Sequence, residues 1–410
     1  MDFPRAIFIF FLLLSVYLLL QGALFLRLKV QLQQRFEGGK GRLAAVLLAL
    51  FFLLMLSPLS WRLLFGWQAE ESYPWVVRSL FAASAIWSFG STGWVLLLLA
   101  RDLLPPLTAL FSARSFPRTD IGRRDFLKKG FAAASAAPFV LSGYGVFFER
   151  RRFQVDHLAL PVNGLSSSLE QFAVVQLTDI HVGPFMPEEE LAQYVEEVNR
   201  LKPDLVALTG DFVASSPEEV APCVRALSRL NARYGVFACM GNHDAYADVE
   251  DQLTRELESR GIRVLRNDAA SIRVGNTSLD VLGIDDLRWG RPDISRALKL
   301  ASKEPGEARL LLSHRPEVFP EAAQLGIDVV LSGHYHGGQV KLAPDPRALS
   351  IARLITPYAE GLFHLGRDGR SAGAEAKDSV LFVSRGVGIT GLPIRINCPP
   401  QIAHLTLKKV

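Results

Sequence analysis

The sequence predicts an α/β layered domain that follows an all-α transmembrane region. Three observations support this prediction: apolar segments near the start of the chain, alternating apolar runs and helical stretches further on, and polar motifs where the apolar runs end. A chain of 410 residues also exceeds what one hydrophobic core usually holds. We therefore expect a membrane region at residues 1–152 and a second domain, which carries the polar motifs, at residues 153–410.

The membrane region is predicted from four apolar segments. Three of them contain no charged side chain and reach the length of about 20 residues that a bilayer-crossing helix needs. The fourth is rich in Ala and contains Pro138, Gly143 and Gly145, so a surface-lying or re-entrant segment is the alternative to a spanning helix. In chain order, the predicted segments are 6–26, 43–61, 79–100 and 130–148.

Charge placement predicts an orientation, because cytoplasmic loops accumulate Lys and Arg. The loops at 27–42 and 101–129 are basic, whereas the loop at 62–78 holds two arginines beside two glutamates. This alternation predicts a multi-pass membrane protein whose second domain lies on the extracytoplasmic side. The three arginines at 150–152 argue for the opposite orientation, so a cytoplasmic domain is the alternative.

Residues 122–128 resemble the bacterial twin-arginine export signal. They read Gly-Arg-Arg-Asp-Phe-Leu-Lys and precede an apolar stretch, as that signal requires. Their internal position is a departure, because such signals normally lie at the N-terminus. The alternative is a basic flank that anchors a helix. Either interpretation places this segment in the cytoplasm and the residues after the helix outside.

Charge and cysteine content narrow the classes of function. Residues 1–152 carry 18 Lys and Arg against 8 Asp and Glu, so the basic excess belongs to the membrane region, and we expect no nucleic-acid binding. The three cysteines share no zinc-type spacing, and Cys239 in an apolar run is expected to be a core residue. The other two are Cys223 and Cys398.

The second domain, residues 153–410, alternates short apolar runs with helical stretches, which is typical of a layered α/β fold. The runs are rich in Val, Leu and Ile, as buried strands are, and acidic residues crowd the first turns of two helices. A low-complexity patch at 366–376 is predicted to be an exposed loop. The predicted strands are 173–178, 204–209, 235–240, 280–284, 309–313, 328–332 and 379–384, and the predicted helices are 188–201, 217–230 and 249–260.

Carboxylate, amide and imidazole side chains recur where strands are predicted to end. Such oxygen and nitrogen ligands, converging from separate segments, are what a two-metal site needs. Asp179, Asp211 and Asn242 are spaced about 30 residues apart, so consecutive strand–helix units would deliver them to one sheet edge. The motifs are Asp179-Ile180-His181, Gly210-Asp211, Gly241-Asn242-His243-Asp244 and Gly333-His334-Tyr335-His336-Gly337-Gly338, with Ser313-His314 at the end of another run.

In this order, the motifs resemble those of the calcineurin-like metallophosphoesterases, which are D-x-H, G-D, G-N-H-D/E, a lone His and G-H-x-H. The resemblance covers residues of about 170–400 and implies a layered β-sandwich flanked by helices. It also implies a metal-dependent phosphoric ester hydrolase with two divalent ions, for which Mn, Fe or Zn suit the donors. The implied ligands are Asp179, His181 and His336 for one ion and Asn242, His314 and His334 for the other, with Asp211 bridging them.

The resemblance further implies that Asp211 and His243 are catalytic. His243 would not bind metal; it would protonate the leaving group or stabilise the transition state. The nucleophile would be a hydroxide that bridges the two ions. A degenerate site that binds metal without turnover is the alternative.

Other polar residues give weaker signals. Asp244 would either orient His243 or cap a helix. Three arginines near strand ends would contact a phosphate or, more ordinarily, form surface salt bridges, and three histidines match no motif and are expected to be ordinary. The stretch 384–395 is similar to the tail of a membrane-linked bacterial branch of the family. The arginines are Arg315, Arg385 and Arg395, and the histidines are His157, His364 and His404.

The expected function is that of a membrane-anchored dimetal phosphoesterase. A phosphodiester or pyrophosphate is favoured over a monoester, and the anchor favours a lipid or envelope component as substrate. A soluble nucleotide or phosphoprotein is possible in the same class, and a nucleotide-sugar lipid would favour a cytoplasmic domain. From another class, the chain would be a membrane sensor or scaffold with a metal-binding, weakly active hydrolase domain. The sequence determines neither the metal nor the oligomeric state.

Overall fold

The chain folds into two units. We call them the helical unit, Asp2–Gly66 with Trp75–Phe148, and the sandwich unit, which includes Glu149–Val410. The low-complexity patch predicted at 366–376 lies outside the described residues, except for Gly366. The computed structural model describes residues 3–65, 74–103, 121–301, 308–366 and 378–410.

The described residues of the helical unit form four apolar helices. Each contains a stretch that is long and apolar enough to cross a membrane, in agreement with the predicted all-α transmembrane region. Many of their apolar side chains point outward; the exposed fractions of Leu19 and Val140 are 72% and 70%. Side chains of this kind suit contact with lipid. The helices are α1 (Phe3–Arg35), α2 (Gly38–Phe65), α3 (Pro74–Leu103) and α4 (Ile121–Phe147).

Small residues and paired polar groups hold these helices together. A Cβ atom on Gly90 of α3 would lie 2.3 Å from the ring of Phe139 on α4, so glycine permits the close approach of the two helices. The Gln21 amide of α1 donates to Ser91 Oγ at 2.8 Å and accepts from the Trp87 indole at 3.2 Å. Polar groups in a bilayer need such partners, because lipid tails supply none.

Two six-stranded sheets pack face to face in the sandwich unit. One has the order β1-β12-β2-β3-β4-β5 and the other β10-β11-β9-β8-β7-β6, with β2 to β5 parallel in the first and β7, β8, β9 and β11 parallel in the second. The strands are β1 (Gln154–Val162), β2 (Ala173–Leu177), β3 (Leu205–Thr209), β4 (Val236–Cys239), β5 (Ile262–Val264), β6 (Asp268–Val274), β7 (Thr277–Gly283), β8 (Ala308–Leu312), β9 (Val329–Ser332), β10 (Gly361–Gly366), β11 (Asp378–Val383) and β12 (Gln401–Lys409).

Helices cover the outer face of each sheet. Alternate residues of one strand enter different layers: Leu310 and Leu312 of β8 point into the core between the sheets, while Leu311 packs under the outer helices. The predicted layered sandwich flanked by helices is confirmed. The helices are α5 (Glu188–Arg200), α6 (Val220–Leu227), α7 (Asn242–Tyr246), α8 (Glu250–Glu258), α9 (Ile294–Leu300), α10 (Phe319–Gln324) and α11 (Ile351–Ile355).

Strands that lack a continuous apolar run were missed by the sequence analysis. All seven predicted runs form strands, and each of the three predicted helical stretches contains a helix. β1 and β12 were missed because polar residues interrupt them: β1 reads QVDHLALPV, and most of its residues keep some exposure. β6 was missed for the same reason, since exposed and buried residues alternate in its second half.

Truncation of Leu312 should destabilise the sandwich unit. The side chain is fully buried between the sheets, so Leu312→Ala should lower the free energy of unfolding by about 2–5 kcal/mol. Cys223, Cys239 and Cys398 are buried and free, so their alkylation at increasing urea reports unfolding of this unit in the full chain. Leu300→Ala, at a side chain that is 54% exposed, is the matched control. Equal urea midpoints for the two variants would contradict the prediction.

Candidate metal centre

The site lies where parallel strands of both sheets end. Asp179 and His181 follow β2, Asp211 follows β3, and His314 follows β8. Backbone hydrogen bonds join these loops. The Asp179 N–H donates to Gly210 O at 3.1 Å and the His181 N–H to Asp211 O at 3.0 Å. Further along the chain, Asn242 and His243 open α7 after β4, and His334 and His336 follow β9.

Five of the candidate site residues adopt left-handed backbone conformations. Residues other than glycine rarely adopt such conformations, and those that do cluster at functional sites. They turn each side chain sharply inward at a strand end. The φ angles are 53° for Asp179, 49° for His181, 56° for Asp211, 76° for His334 and 50° for His336.

The glycines of the motifs provide room for the two carboxylates. A Cβ atom on Gly241 would lie 2.2 Å from Asp211 Oδ1, and one on Gly333 would lie 2.2 Å from Asp179 Oδ2. Neither distance is tolerable for a real side chain, so any larger residue would displace a carboxylate. The backbone N–H of His334 donates to both oxygens of Asp179, at 3.0 and 3.1 Å.

Asp211 lies between two groups of donors. Its Oδ2 atom is 3.5 Å from His181 Nε2 and 3.1 Å from His314 Nε2. On the first side, His336 Nε2 lies 3.1 Å from His181 Nε2 and 3.3 Å from Asp179 Oδ1. On the second side, His334 Nδ1 lies 3.2 Å from His314 Nε2. Among the described residues, three overlapping sets have all their donor atoms within 4.8 Å of one another: Asp179, His181 and His336; His181, Asp211 and His243; and Asp211, His314 and His334.

The donors fit divalent cations. Asn242 is buried, and its Oδ1 atom has no hydrogen-bond partner among the described residues, which is costly unless a cation or water completes it. His314 Nδ1 lies 2.8 Å from the Thr209 carbonyl. A ring that donates to a carbonyl through Nδ1 keeps Nε2 free to bind metal. The set therefore offers carboxylate, amide and imidazole donors, as a divalent-metal site requires.

The buried charges of the site strongly perturb one another. Burial raises the pKa of Asp179 to about 6. Burial also acts to raise the pKa of Asp211, but His314, His243 and His181 outweigh it and hold that pKa well below the usual range. Burial acts to lower the pKa of His314, but the Asp211 carboxylate raises it to about 10. Negative charge is thus concentrated on Asp211, where cations would be stabilised.

His243 is buried and packs against the ring of His181 at 4.5 Å. Its Nδ1 atom is 2.7 Å from the Ala214 carbonyl, and its backbone N–H donates to Asp211 Oδ1 at 2.8 Å. Its ring is 5.3 Å from that of Tyr246, which contacts Trp289 edge-to-face at 4.7 Å. Both aromatic residues are about half exposed. Trp289 was missed by the sequence analysis, because its loop carries no motif.

Asp244 supports the backbone that carries Asp211. It is fully buried and accepts from the N–H groups of Gly241, Asp211, Phe212 and Val213 at 2.8–3.3 Å. The prediction that Asp244 caps a helix is therefore correct in part, because it accepts from the N–H of Gly241, the residue that precedes α7. Its links to the loop after β3 were not predicted, because a sequence does not show which distant N–H groups a carboxylate will meet.

The surface salt bridges predicted for the arginines are wrong for Arg315 and Arg395. Both are buried, with exposed fractions of 5% and 0%. Arg315 donates to Asp286 Oδ2 at 2.8 Å and contacts His334 Nε2 at 2.6 Å, so it belongs to the site. Burial lowers the pKa of His334 well below its usual range, and the Arg315 guanidinium lowers it further.

Arg395 holds the backbone behind His336. Its Nη2 donates to the carbonyls of Arg385, Gly386 and Gly388 at 2.5–3.1 Å and lies 3.4 Å from His336 Nδ1. Sequence alone gave no signal for this role. Arg385 pairs with Asp156 at 2.9 Å, and His157, His364 and His404 lie on β1, β10 and β12, outside the donor groups.

Comparison with known proteins gives the family. Residues 172–338 match the family model described as calcineurin-like phosphoesterase. A metallophosphoesterase of Aquifex aeolicus is 30% identical over 273 residues, which cover 66% of this chain and 97% of that protein. The chain therefore belongs to the calcineurin-like metallophosphoesterase family.

Two further relatives show how the resemblance extends. The metallophosphoesterase YkuE of Bacillus subtilis is 28% identical over 302 residues, which cover 70% of this chain and 98% of that protein. A transmembrane protein with metallophosphoesterase domain from Danio rerio is 32% identical over 283 residues, which cover 66% of this chain and 61% of that protein.

Removal of the Asp244 carboxylate should destabilise the sandwich unit. Asp244→Ala leaves four backbone N–H groups without their acceptor, so the free energy of unfolding should fall by about 3–5 kcal/mol. Asp244→Asn keeps one acceptor oxygen and should cost less. Urea-dependent alkylation of the buried cysteines measures both, with Glu258→Ala at an exposed position as the control. Wild-type stability of Asp244→Ala would disprove this role.

Proposed function

We propose that this chain is a membrane-anchored phosphoesterase that holds two divalent metal ions and cleaves a phosphodiester or pyrophosphate bond. Membership of the family supports metal-dependent hydrolysis of a phosphoester. The position of Asp211 supports two ions, because its Oδ2 atom lies within 3.5 Å of an imidazole nitrogen in each donor group. This is the single observation on which the proposal depends most.

The proposed ligands divide between the two sides of Asp211. Asp179, His181 and His336 would hold one ion, and Asn242, His314 and His334 the other. Asp211 would be shared. When bound, two such ions activate water for attack and neutralise charge on the phosphoryl oxygens. Oxygen and imidazole donors suit Mn, Fe or Zn, with manganese among the metals to test first.

His243 would supply the proton to the leaving group. The contact between its Nδ1 atom and the Ala214 carbonyl fixes the ring, and Nε2 is the atom from which the proton would pass. The hydrogen bond from its backbone N–H to Asp211 fixes the position of His243, the proposed acid, relative to Asp211, the proposed shared metal ligand. Tyr246 packs against the His243 ring, and Trp289 packs against Tyr246. Both aromatic side chains are about half exposed, so a leaving group would depart past them.

The proposed setting is the bacterial inner membrane, with the sandwich unit extracytoplasmic and a lipid or envelope component as substrate. The basic loops, the twin-arginine-like residues 122–128 and the four apolar helices support it. The proposed boundary between membrane region and catalytic domain is at residues 152 and 153. The side chains of Arg123 and Arg124 lie outside the described residues.

Metal-dependent cleavage of an aryl phosphodiester tests this function. The full chain in detergent is stripped of metal, resupplied with Mn, Fe or Zn, and assayed on the diester and the matching monoester. We expect metal to restore activity with a preference for the diester. His243→Ala and Asp211→Asn should each lower kcat/KM by about 10²-fold or more.

His364→Ala, which changes an exposed histidine on β10, is the matched control and should keep full activity. Three outcomes would count against the proposed function. Preference for the monoester would overturn the diester assignment. Two bound metals without turnover would instead favour the membrane sensor or scaffold. Unchanged activity in His243→Ala would show that His243 is not the acid that protonates the leaving group.

A methyl group at Gly333 should release metal. Its Cβ atom would lie 2.2 Å from Asp179 Oδ2 and 2.3 Å from Thr178 Oγ1, so Gly333→Ala must displace a proposed ligand. We expect the metal content of the dialysed full chain, measured by mass spectrometry, to fall. Gly261→Ala is the control, because Gly261 has a φ of 81° and open space around it, so the added methyl group strains the local backbone and displaces no ligand. Equal metal content in both variants would refute the assignment of Asp179.

A further inference from the structure

Exposed apolar side chains of the sandwich unit concentrate on one short segment. Eight large hydrophobic side chains described in this unit are exposed, and four of them fall within residues 342–354. We call this stretch the 342–354 segment. Its exposed apolar members are Leu342, Leu349, Ile351 and Leu354, with exposed fractions of 77%, 54%, 50% and 42%.

The fold itself holds these side chains outward. Lys341 and Ser350 form an antiparallel bridge, and the Leu342 N–H donates to Leu349 O at 3.1 Å. Ser350 caps α11, whose Ala352 is buried, so the larger residues on either side of Ala352 face solvent. Lys341 is itself fixed by a buried ion pair with Glu360. The exposure therefore belongs to an ordered surface.

Two arginines give this surface a positive charge. Arg347 and Arg353 have no carboxylate within ion-pairing distance among the residues that the structure describes; Arg353 donates instead to the Pro346 carbonyl at 3.0 Å. The Asp345 carboxylate accepts from the backbone of Arg347 at 2.6 Å. The two arginines also line a cavity of about 640 Å³, whose other walls include Phe363 and Phe382. Two carboxylates line it as well, and both are already paired, Asp156 with Arg385 and Glu360 with Lys341.

Apolar side chains interleaved with arginines are typical of surfaces that bind anionic membranes. The apolar groups enter the headgroup boundary, and the guanidinium groups pair with lipid phosphates. The same chain carries four helices long enough to cross a membrane, so a bilayer is available to it. The two arginines complement the negative charge of anionic headgroups.

The segment also packs against the backbone of the metal centre. A Cβ atom on Gly338 would lie 2.6 Å from Ser350 Oγ and 3.3 Å from the Ala352 Cβ atom, both of which belong to the segment. His336 and Gly337 directly precede Gly338. Lipid bound at the segment would therefore lie close to the loop that carries two of the proposed ligands.

We propose that the 342–354 segment is a lipid-contact surface that seats the sandwich unit on an anionic membrane. Phosphate esters presented at that membrane would then reach the metal centre without leaving the headgroup layer. This last step rests on the proposed function. The contact with lipid does not, and it can be tested separately.

Site-specific fluorescence in lipid nanodiscs tests the contact. All three native cysteines are buried, so Leu349→Cys in the full chain provides one accessible site for an environment-sensitive dye. The nanodiscs contain phosphatidylcholine and phosphatidylglycerol, with or without a doxyl quencher on the acyl chains. We expect a blue shift and loss of most of the fluorescence with the quencher. A dye at Arg260→Cys, at an exposed position before β5, should show neither change.

The arginines are tested in the same labelled chain. Arg347→Gln with Arg353→Gln should restore the fluorescence in anionic nanodiscs. Equal quenching at positions 349 and 260 would overturn the proposal. A second copy of the chain could also cover this surface. In that case the blue shift of the dye at position 349 would already be present in detergent, would grow with protein concentration and would be accompanied by no lipid quenching. This result would also overturn the proposal.

Hydrolysis of the soluble aryl phosphodiester separates the two proposals. The arginine variant should keep wild-type turnover of this substrate, because neither arginine contacts the metal centre. Lipid quenching without any hydrolysis would uphold the surface and reject the proposed function. Hydrolysis without lipid quenching would uphold the proposed function and reject the lipid-contact surface.

Discussion

The burial of two carboxylates, Asp179 and Asp211, is the constraint around which the sandwich unit is arranged. Both are almost fully inaccessible to solvent, and an ionised carboxylate in such a place needs compensating charge. Imidazoles from strand ends of both sheets provide part of it, and backbone N–H groups of His334 and His243 provide hydrogen bonds. The left-handed turns and the glycines at this edge follow from the need to bring these groups together.

Two buried side chains, the carboxyl group of Asp244 and the guanidinium group of Arg395, stabilise the backbone on either side of this cluster. Asp244 gathers N–H donors from the loops after β3 and β4, and Arg395 gathers carbonyl acceptors from the loop after β11. Each lets polar backbone turn inside the protein without losing its hydrogen bonds. Precision at the metal centre therefore depends on residues that hold the main chain as much as on the donors.

The sequence predicted the layered fold and named the side chains that meet at the sheet edge, because both depend on local signals. Apolar runs marked β2, β3 and β4, and the topology of parallel strands then required Asp179, Asp211 and Asn242 to converge. The buried roles of Arg315 and Arg395 depend on contacts with distant carbonyl and imidazole groups, which no local pattern encodes. β12 escaped prediction because polar residues alternate along it.

The pairing of β1 with β12 has a consequence for the order in which the sandwich unit is completed. β1 follows the helical unit directly, yet it pairs in register with β12, from Gln154 with Gln401 to Val162 with Lys409. β12 also pairs with β2. While the ribosome is still making the intervening strands, β1 has no neighbour, and the facing side of β2 is an open edge. A polypeptide interrupted before residue 401 would leave both strands able to pair with other chains.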